Sequence, residues 1–280
     1  MKTALFANSQ KPQAQEILND LSHFLRNLGV TVVLESAEPF TNGDLQDVLP
    51  SIKKADFLVS IGGDGSILHL IHAIGIPHIP IVGINLGSLG FLAEVNVKNL
   101  FNDFETICKG GYTTEERLVI DGYIHNTKSG FAVNEVTVHR GCLPNLIDLS
   151  IHVDGVFLNT FSADGVIVST PSGSTAYSLS AGGPIVTPEI EALIITPICP
   201  HTMSNRPLVV MPKESLSIEL SRGGDVVDVA FDGQPPTPLS RGESLEIRRS
   251  SDHFRLLTLP TTNYFSTLRS KLGWAGSWRQ

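Results

Sequence analysis

Residues 57–75 read FLVSIGGDGSILHLIHAIG. The run Phe57–Ile61 is short and apolar but for Ser60, as a strand buried on both faces can be. It passes directly into Gly62-Gly63-Asp64-Gly65, and from Ser66 to about Ile74 the pattern predicts a helix. A strand entering a helix through glycines is the building unit of a parallel α/β sheet. Ligands of such sheets bind beyond the carboxyl ends of the strands, where a helix N-terminus offers N–H groups to phosphate. Glycines at 62, 63 and 65 let the backbone come close to phosphate oxygens. Asp64 then needs a task that suits a carboxylate beside negative charge. It either holds a magnesium ion on a nucleotide or accepts a proton from an attacking hydroxyl. The plain alternative is an N-cap aspartate between turn glycines. The loop fits neither G-x-x-x-x-G-K-[ST] nor G-x-G-x-x-G, so those two routes to nucleotide binding find no support.

Working outward, residues 2–7 predict a strand, and Ala14, Ile17, Leu18, Leu21, Phe24, Leu25 and Leu28 recur at helical spacing until Gly29. Val30–Leu34 reads as a strand, Asp44–Lys53 as a helix, Ile79–Ile84 as a strand closed by the turn Gly87–Gly90, and Val97–Lys109 as a helix. The texture then changes to short β-branched runs: Leu118–Ile124, Phe131–Val138, Ile147–Val153, Val156–Phe161, Gly165–Ser169, Leu208–Met211, Leu216–Leu220, Val226–Phe231, Leu245–Arg248 and Phe254–Leu259. Each is bounded by Gly, Pro, Ser or Asp, as in an antiparallel sandwich or closed sheet. Asn263–Leu272 looks helical again. The expected architecture is an α/β nucleotide-binding domain with a parallel sheet over 1–110, an all-β sandwich-like domain over 111–259, and a C-terminal helix in 260–280 returning to the first.

Of 280 residues 41% are hydrophobic, enough for two cores. Only 17% are charged and the net charge is -8, so neither nucleic acid nor a membrane surface is an expected partner. Cys108, Cys142 and Cys199 are odd in number and far apart, which argues for a reducing compartment and against a zinc site. The first residues contain no signal-peptide core and no later apolar stretch reaches spanning length, so the expected location is the cytoplasm.

Two further stretches carry polar chemistry. In DGVIVSTPSGSTAYSLSAGGP, 164–184, Ser172, Ser174, Thr175 and Ser178 crowd hydroxyls round one turn and Tyr177 offers a face for an adenine. The plain alternative for each hydroxyl is a cap or turn former. Asn134-Glu135 lies inside the predicted strand Phe131–Val138, where neighbours point to opposite faces, so at least one faces inward unless a bulge intervenes. Ribose hydroxyls or a carboxamide would serve as its partner. A sheet-edge pair facing water is the plain alternative.

Together these stretches resemble the NAD kinase family: GGDGS at 62–66, NLGSLGFL at 85–92, NE at 134–135, the segment 164–184, PHTMSNRP at 200–207, FDGQ at 231–234 and YFSTLRSKLGW at 264–274. The resemblance implies phosphoryl transfer from ATP, with Mg2+ or another divalent cation, to the 2'-hydroxyl of the adenosine ribose of NAD, yielding NADP. It implies a dinucleotide lying in the cleft between the two domains and a homodimer or homotetramer joined through the β-rich domain. By the same resemblance Asp64 is the catalytic candidate, in the loop of Gly62, Gly63 and Gly65. Asn134 and Glu135 grip the ribose and adenine end, and Phe91 packs near adenine. Asp164 lies near the nicotinamide, and Thr175, Ala176, Tyr177 and Ser180 line the pocket. Many bacterial relatives have an arginine where this chain has Ser162, so Asp164 is expected to be less neutralised and the choice between NAD and NADH less strict. A lipid or sugar kinase sharing the GGDG loop would leave 164–184 unexplained. A silent dinucleotide-binding regulator would be expected to lack the Asp64 carboxylate.

Overall fold

The computed structural model describes residues 1–36, 48–87, 90–201, 205–213 and 215–274. In chain order its elements are β1 (Lys2–Ala7), α1 (Ala14–Asn27), β2 (Thr31–Ser36), α2 (Leu49–Ile52), β3 (Phe57–Gly62), α3 (Asp64–Ile74), β4 (Ile81–Asn85), β5 (Val95–Asn96), α4 (Leu100–Cys108) and β6 (Thr113–Ile124). There follow β7 (Thr127–Ala132), β8 (Glu135–His139), β9 (Ile147–Val153), β10 (Val156–Ala163), β11 (Gly165–Ser169), α5 (Tyr177–Ser180), β12 (Leu193–Ile198) and β13 (Leu208–Val210). Last come β14 (Leu216–Arg222), β15 (Val226–Phe231), β16 (Thr237–Ser240), β17 (Ser244–Thr258) and α6 (Tyr264–Leu272). The chain divides into one unit of Met1–Glu116 with Phe254–Gln280 and a second of Arg117–His253.

In the first unit β2, β1, β3 and β4 lie side by side, all parallel, and β5 adds to the far edge of β4. Every residue of β3 is buried, as its largely apolar run suits a strand covered on both faces. Phe57, Val59 and Ile61 join Leu18, Leu21 and Leu25 of α1 and Phe104 and Ile107 of α4 in one core. On α3, Ile67, Leu70 and Ile71 are fully buried. The helix predicted over Asp44–Lys53 appears as α2 alone, its first residues lying outside the described ones.

The second unit is an antiparallel sandwich. One sheet runs β13-β12-β11-β8-β15-β16, and the other places β10, β9, β14 and β17 in order, with β6 on β17 and β7 on β6. Leu149, Ile151, Ile218 and Ile247 from one sheet and Val136, Val138, Val168 and Val229 from the other form a common core. Alternation is clean on β9 and β14, whose inward residues are buried while Glu219, Ser221 and Arg222 are exposed.

Three strand expectations need correction. The predicted strand Phe131–Val138 is interrupted at Val133 and Asn134, for reasons given below. The two runs Leu245–Arg248 and Phe254–Leu259 belong to the single strand β17. Its polar middle reads as a turn, yet Ser250 is buried and its hydroxyl donates to Asp121 Oδ2 at 3.0 Å, which keeps the strand continuous. No strand is expected from the sequence at Leu193–Ile198, a segment that contains Pro197, yet β12 forms there. In β12 the proline lies opposite Val166, and the strand is buried over its whole length.

The sandwich predicts a sharp contrast between neighbours on β14. Ile218→Ala should cost about 2–5 kcal/mol of stability, whereas Glu219→Ala should stay within about 0.5 kcal/mol. Urea unfolding of the two variants measures both; similar losses would contradict the assigned faces.

Candidate active site

In the first unit the chain leaves β3 at Gly62, where an added Cβ would collide with the Ser66 hydroxyl, so this glycine answers protein packing. Gly63 has φ 155 and ψ -172, a region open essentially to glycine alone, and it turns the chain into α3. Around Gly65 an added Cβ would meet nothing within 4 Å, which leaves the backbone open to a ligand. The Asp64 side chain does not cap its own helix. It reaches across to the turn after β4 and accepts three main-chain N–H groups, from Phe91 at 2.8 Å, Leu92 at 3.1 Å and Ala93 at 2.8 Å. Gly90 lies so close to this carboxylate that a Cβ would overlap it. A carboxylate has about four lone-pair directions, so one remains for another group.

A cavity of about 200 Å³ opens here, lined by Lys11, Gly62, Gly63, Asp64, Asn85, Gly87, Gly90 and Lys271. Two lysines therefore border the glycine loop. Lys271 Nζ also lies 5.4 Å from the centroid of the Phe91 ring, which packs on Tyr264 of α6 at 5.7 Å. The α6 helix thus supplies both a cation and an aromatic support. Asn85 fixes the opposite wall, its side-chain oxygen accepting the Gly87 N–H at 2.8 Å.

In the second unit the break between β7 and β8 is made by Asp232, whose carboxylate accepts N–H groups from Val133 at 2.8 Å, Asn134 at 2.8 Å and Glu135 at 3.0 Å. Three amides drawn to one carboxylate cannot also keep the alternating directions of a strand, which is why the strand is interrupted. As a result both members of the pair are buried, each 9% exposed. From the other side the Thr170 N–H donates to the Asn134 carbonyl at 2.8 Å, and Gly173 lies so close to the Asn134 main chain that a Cβ there would strike it. Among the described residues Glu135 Oε2 has no hydrogen-bond partner, nor has the Ser169 hydroxyl on the adjacent strand, where Ser169 pairs with Glu135. Burial first, and the Asp232 charge second, push the Glu135 carboxyl up to about 8.

The hydroxyl-rich turn divides into two groups. Ser174 is fully buried and bonds Pro171 and Val186, while Ser178 bonds Thr196 at 2.9 Å, so both are structural. The Thr175 hydroxyl donates to the Ser172 carbonyl at 3.2 Å, and Thr175 and Ala176 are half-buried, while Tyr177 is 43% exposed and Ser180 is exposed. Asp164 is not short of positive charge: Arg140 Nε lies 2.7 Å from its Oδ1. The Ser162 hydroxyl donates to Asp148 on the neighbouring strand and not towards Asp164. The Arg140 contact corrects the expectation that Asp164 is less neutralised.

Lys11, Asn85, Arg140, Ser169, Lys271 and Asp232 were not singled out from sequence. Lys271 and Asp232 lie in the quoted segments YFSTLRSKLGW and FDGQ, which was a signal without a role. Lys11 and Arg140 had none. Among the described residues no group of three or more His, Cys, Asp or Glu is gathered as a metal-holding set.

The family model of the ATP-NAD kinase N-terminal domain matches residues 3–112, and that of the ATP-NAD kinase C-terminal domain matches residues 133–259. The NAD kinase of Protochlamydia amoebophila (strain UWE25) is 47% identical over 275 residues, 98% of each chain. Among solved structures, yeast NADH kinase complexed with NADH superposes with a TM-score of 0.82 at 27% identity, covering 100% of this chain and 89% of that one. The NAD kinase from Archaeoglobus fulgidus in complex with ATP gives 0.80 at 26% identity, covering 96% and 99%. With two family models spanning most of its length and a near full-length relative at this identity, the chain belongs to the ATP-NAD kinase family.

Proposed function

We propose that this chain transfers the terminal phosphoryl group of ATP to the 2'-hydroxyl of the adenosine ribose of NAD, producing NADP and ADP. The observation that carries the reading is the glycine loop at the end of β3, with the Asp64 carboxylate and two lysines bordering one cavity. Family membership, an archaeal relative in complex with ATP and a yeast relative complexed with NADH support it. The first unit is read as the nucleotide-binding domain and the second as the dinucleotide-binding and oligomerisation domain.

Phosphoryl transfer asks for positioning and charge neutralisation more than covalent work by the protein. In this reading the amides of Gly62, Gly63 and Gly65 and the Lys11 and Lys271 ammonium groups hold the donor phosphates. Magnesium enters with ATP as part of the substrate. The remaining lone pair of Asp64 orients the 2'-hydroxyl and takes its proton as the new O–P bond forms and the bond to the leaving ADP oxygen breaks; a contact to the incoming cation is the other task open to it. Asn134 and Glu135 hold the ribose and adenine end. Phe91 serves the adenine, while Asp164, Thr175, Ala176, Tyr177 and Ser180 serve the rest of the dinucleotide. Ser162 stays in the contact set as an acceptor, its hydroxyl proton going to Asp148 and its lone pairs remaining for the ligand.

A cytoplasmic location is supported by three free thiols, Cys108, Cys142 and Cys199. Among the described residues no helix is long and apolar enough to cross a membrane.

The purified protein with ATP, magnesium and NAD should form a product that an NADP-specific dehydrogenase accepts. Asp64→Asn should lower kcat by ~10²-fold or more; a kcat within about threefold of wild type would sink the catalytic role. Because asparagine also presents an amide donor to the 91–93 N–H groups, a modest loss of thermal stability should accompany the change.

Removing either lysine separates donor from acceptor. Lys11→Ala and Lys271→Ala should each raise KM for ATP about tenfold, the loss of one charged contact, with a much smaller effect on KM for NAD. An unchanged KM for ATP in both variants would remove the lysines from the donor site.

The family resemblance also supports a homodimer or homotetramer formed through the second unit, whose short strands leave apolar edge residues such as Leu208, Val209 and Met211 exposed. Light scattering should give a multiple of the 30.2 kDa chain mass. A monomer at micromolar concentration refutes it.

A further inference from the structure

A carboxyl group buried with no cation or donor beside it is costly as an anion. Glu135 is in that position. Its Oε2 meets no partner among the described residues, and Ser169 across the ladder is fully buried with its hydroxyl also unpartnered. The elements at this kink are few. β11 and the turn after it bring Ser169, Thr170 and Gly173, and the turn from β15 to β16 brings Asp232. Of these only Asp232 is charged. Its direction is fixed, because it has φ 48 and Gly233 has φ 71, the left-handed pair of a tight turn closed by Gln234 N–H to the Phe231 carbonyl at 2.9 Å. Asp232 also returns its own N–H to the Glu135 carbonyl at 2.9 Å. Carboxylate and kink hold each other in place.

We propose that Asp232 is a positioning residue for the dinucleotide site: it folds residues 133–135 into a kink that buries Glu135 beside a fixed negative charge, and so presents Glu135 to the ligand as a neutral acid that donates a hydrogen bond. The inference rests on the reading of Asn134 and Glu135 as dinucleotide contacts. A neutral acid gives its proton to a ribose or carboxamide oxygen and accepts a hydroxyl proton on its other oxygen. It also adds no repulsion towards the phosphates of the same ligand. Glu135 is pushed up from 4.5 to about 8, so the donor is present at neutral pH and is lost as pH rises through that value. Affinity for NAD falls with it.

The carboxyl carbon of Glu135 in the ligand-free, 13C-glutamate-labelled protein, assigned by its disappearance in Glu135→Gln, reports the protonation directly. The expected titration midpoint lies near 8 in wild type and lower in Asp232→Asn, where the neighbouring charge is gone. In kinetics, Glu135→Ala should raise KM for NAD about tenfold. Glu135→Gln, which keeps a donor, should raise it less and should flatten the rise of KM above pH 8 expected for wild type. A midpoint in the ordinary carboxylate range near ~4 overturns the proposal whatever the kinetics. So does a Glu135→Gln variant as impaired as Glu135→Ala. A high midpoint with KM unchanged in Glu135→Ala instead overturns the reading of the pair as a ligand contact. Should Asp232→Asn fail to fold, the wild-type titration and the Gln profile still decide.

Discussion

A backbone that curls away from helix or sheet to present itself at a site leaves its own N–H groups without ladder partners, and these must be satisfied locally. In both units one aspartate does this for three successive amides: Asp64 for residues 91–93 and Asp232 for residues 133–135. A carboxylate suits the task because it offers two oxygens and no competing donor. Bonds from N–H groups to a charged acceptor are worth about 1.5–3 kcal/mol each before solvent screening, so each set of three sustains a conformation that alternating strand geometry would otherwise exclude. The turn after β4 and the kink before β8 both depend on this arrangement.

Beside the segments held by the aspartates lie two buried strands. β3 and β11 are buried along their whole length, and each delivers its ligand-facing segment just past its last residue. The backbone around them is packed to contact, as Gly62 against Ser66 and Gly173 against Asn134 show. A site whose supporting groups are locked in this way holds its geometry before ligand arrives, and that lowers the ordering cost of binding.

How much of this was legible follows the range of each interaction. β3, the turn at 62–65 and α3 were readable because their signals are local: an apolar run, glycines, then helical spacing. The alternating strands β9, β14 and β15 were readable for the same reason. The continuity of β17 was not, since Ser250 reads as a turn residue until Asp121, far away in sequence, supplies its hydrogen bond. The break before β8 was hidden similarly, because Asp232 lies almost a hundred positions downstream of the amides it collects. For the candidate site, the residue types in GGDG, NE and TPSGSTAY were visible, while the separation of the bonded hydroxyls of Ser174, Thr175 and Ser178 from exposed Ser180 required the packing of Val186, Ser172 and Thr196 around them.

The charge balance at Asp164 shows the same limit with a consequence for mechanism. Local sequence offered only Ser162 in place of an arginine, which suggested a bare carboxylate beside the proposed nicotinamide position. Arg140, at the end of β8, supplies the positive charge at 2.7 Å instead. An aspartate so neutralised attracts the cationic oxidised ring less than a bare one, and what remains is screened further by solvent at a partly exposed site. In the proposed site, then, discrimination between oxidised and reduced nicotinamide rests less on charge and more on the fit of a planar or puckered ring against the surrounding backbone. The hydroxyl of Ser162 donates to Asp148 on β9, so this side chain adds no positive charge beside Asp164.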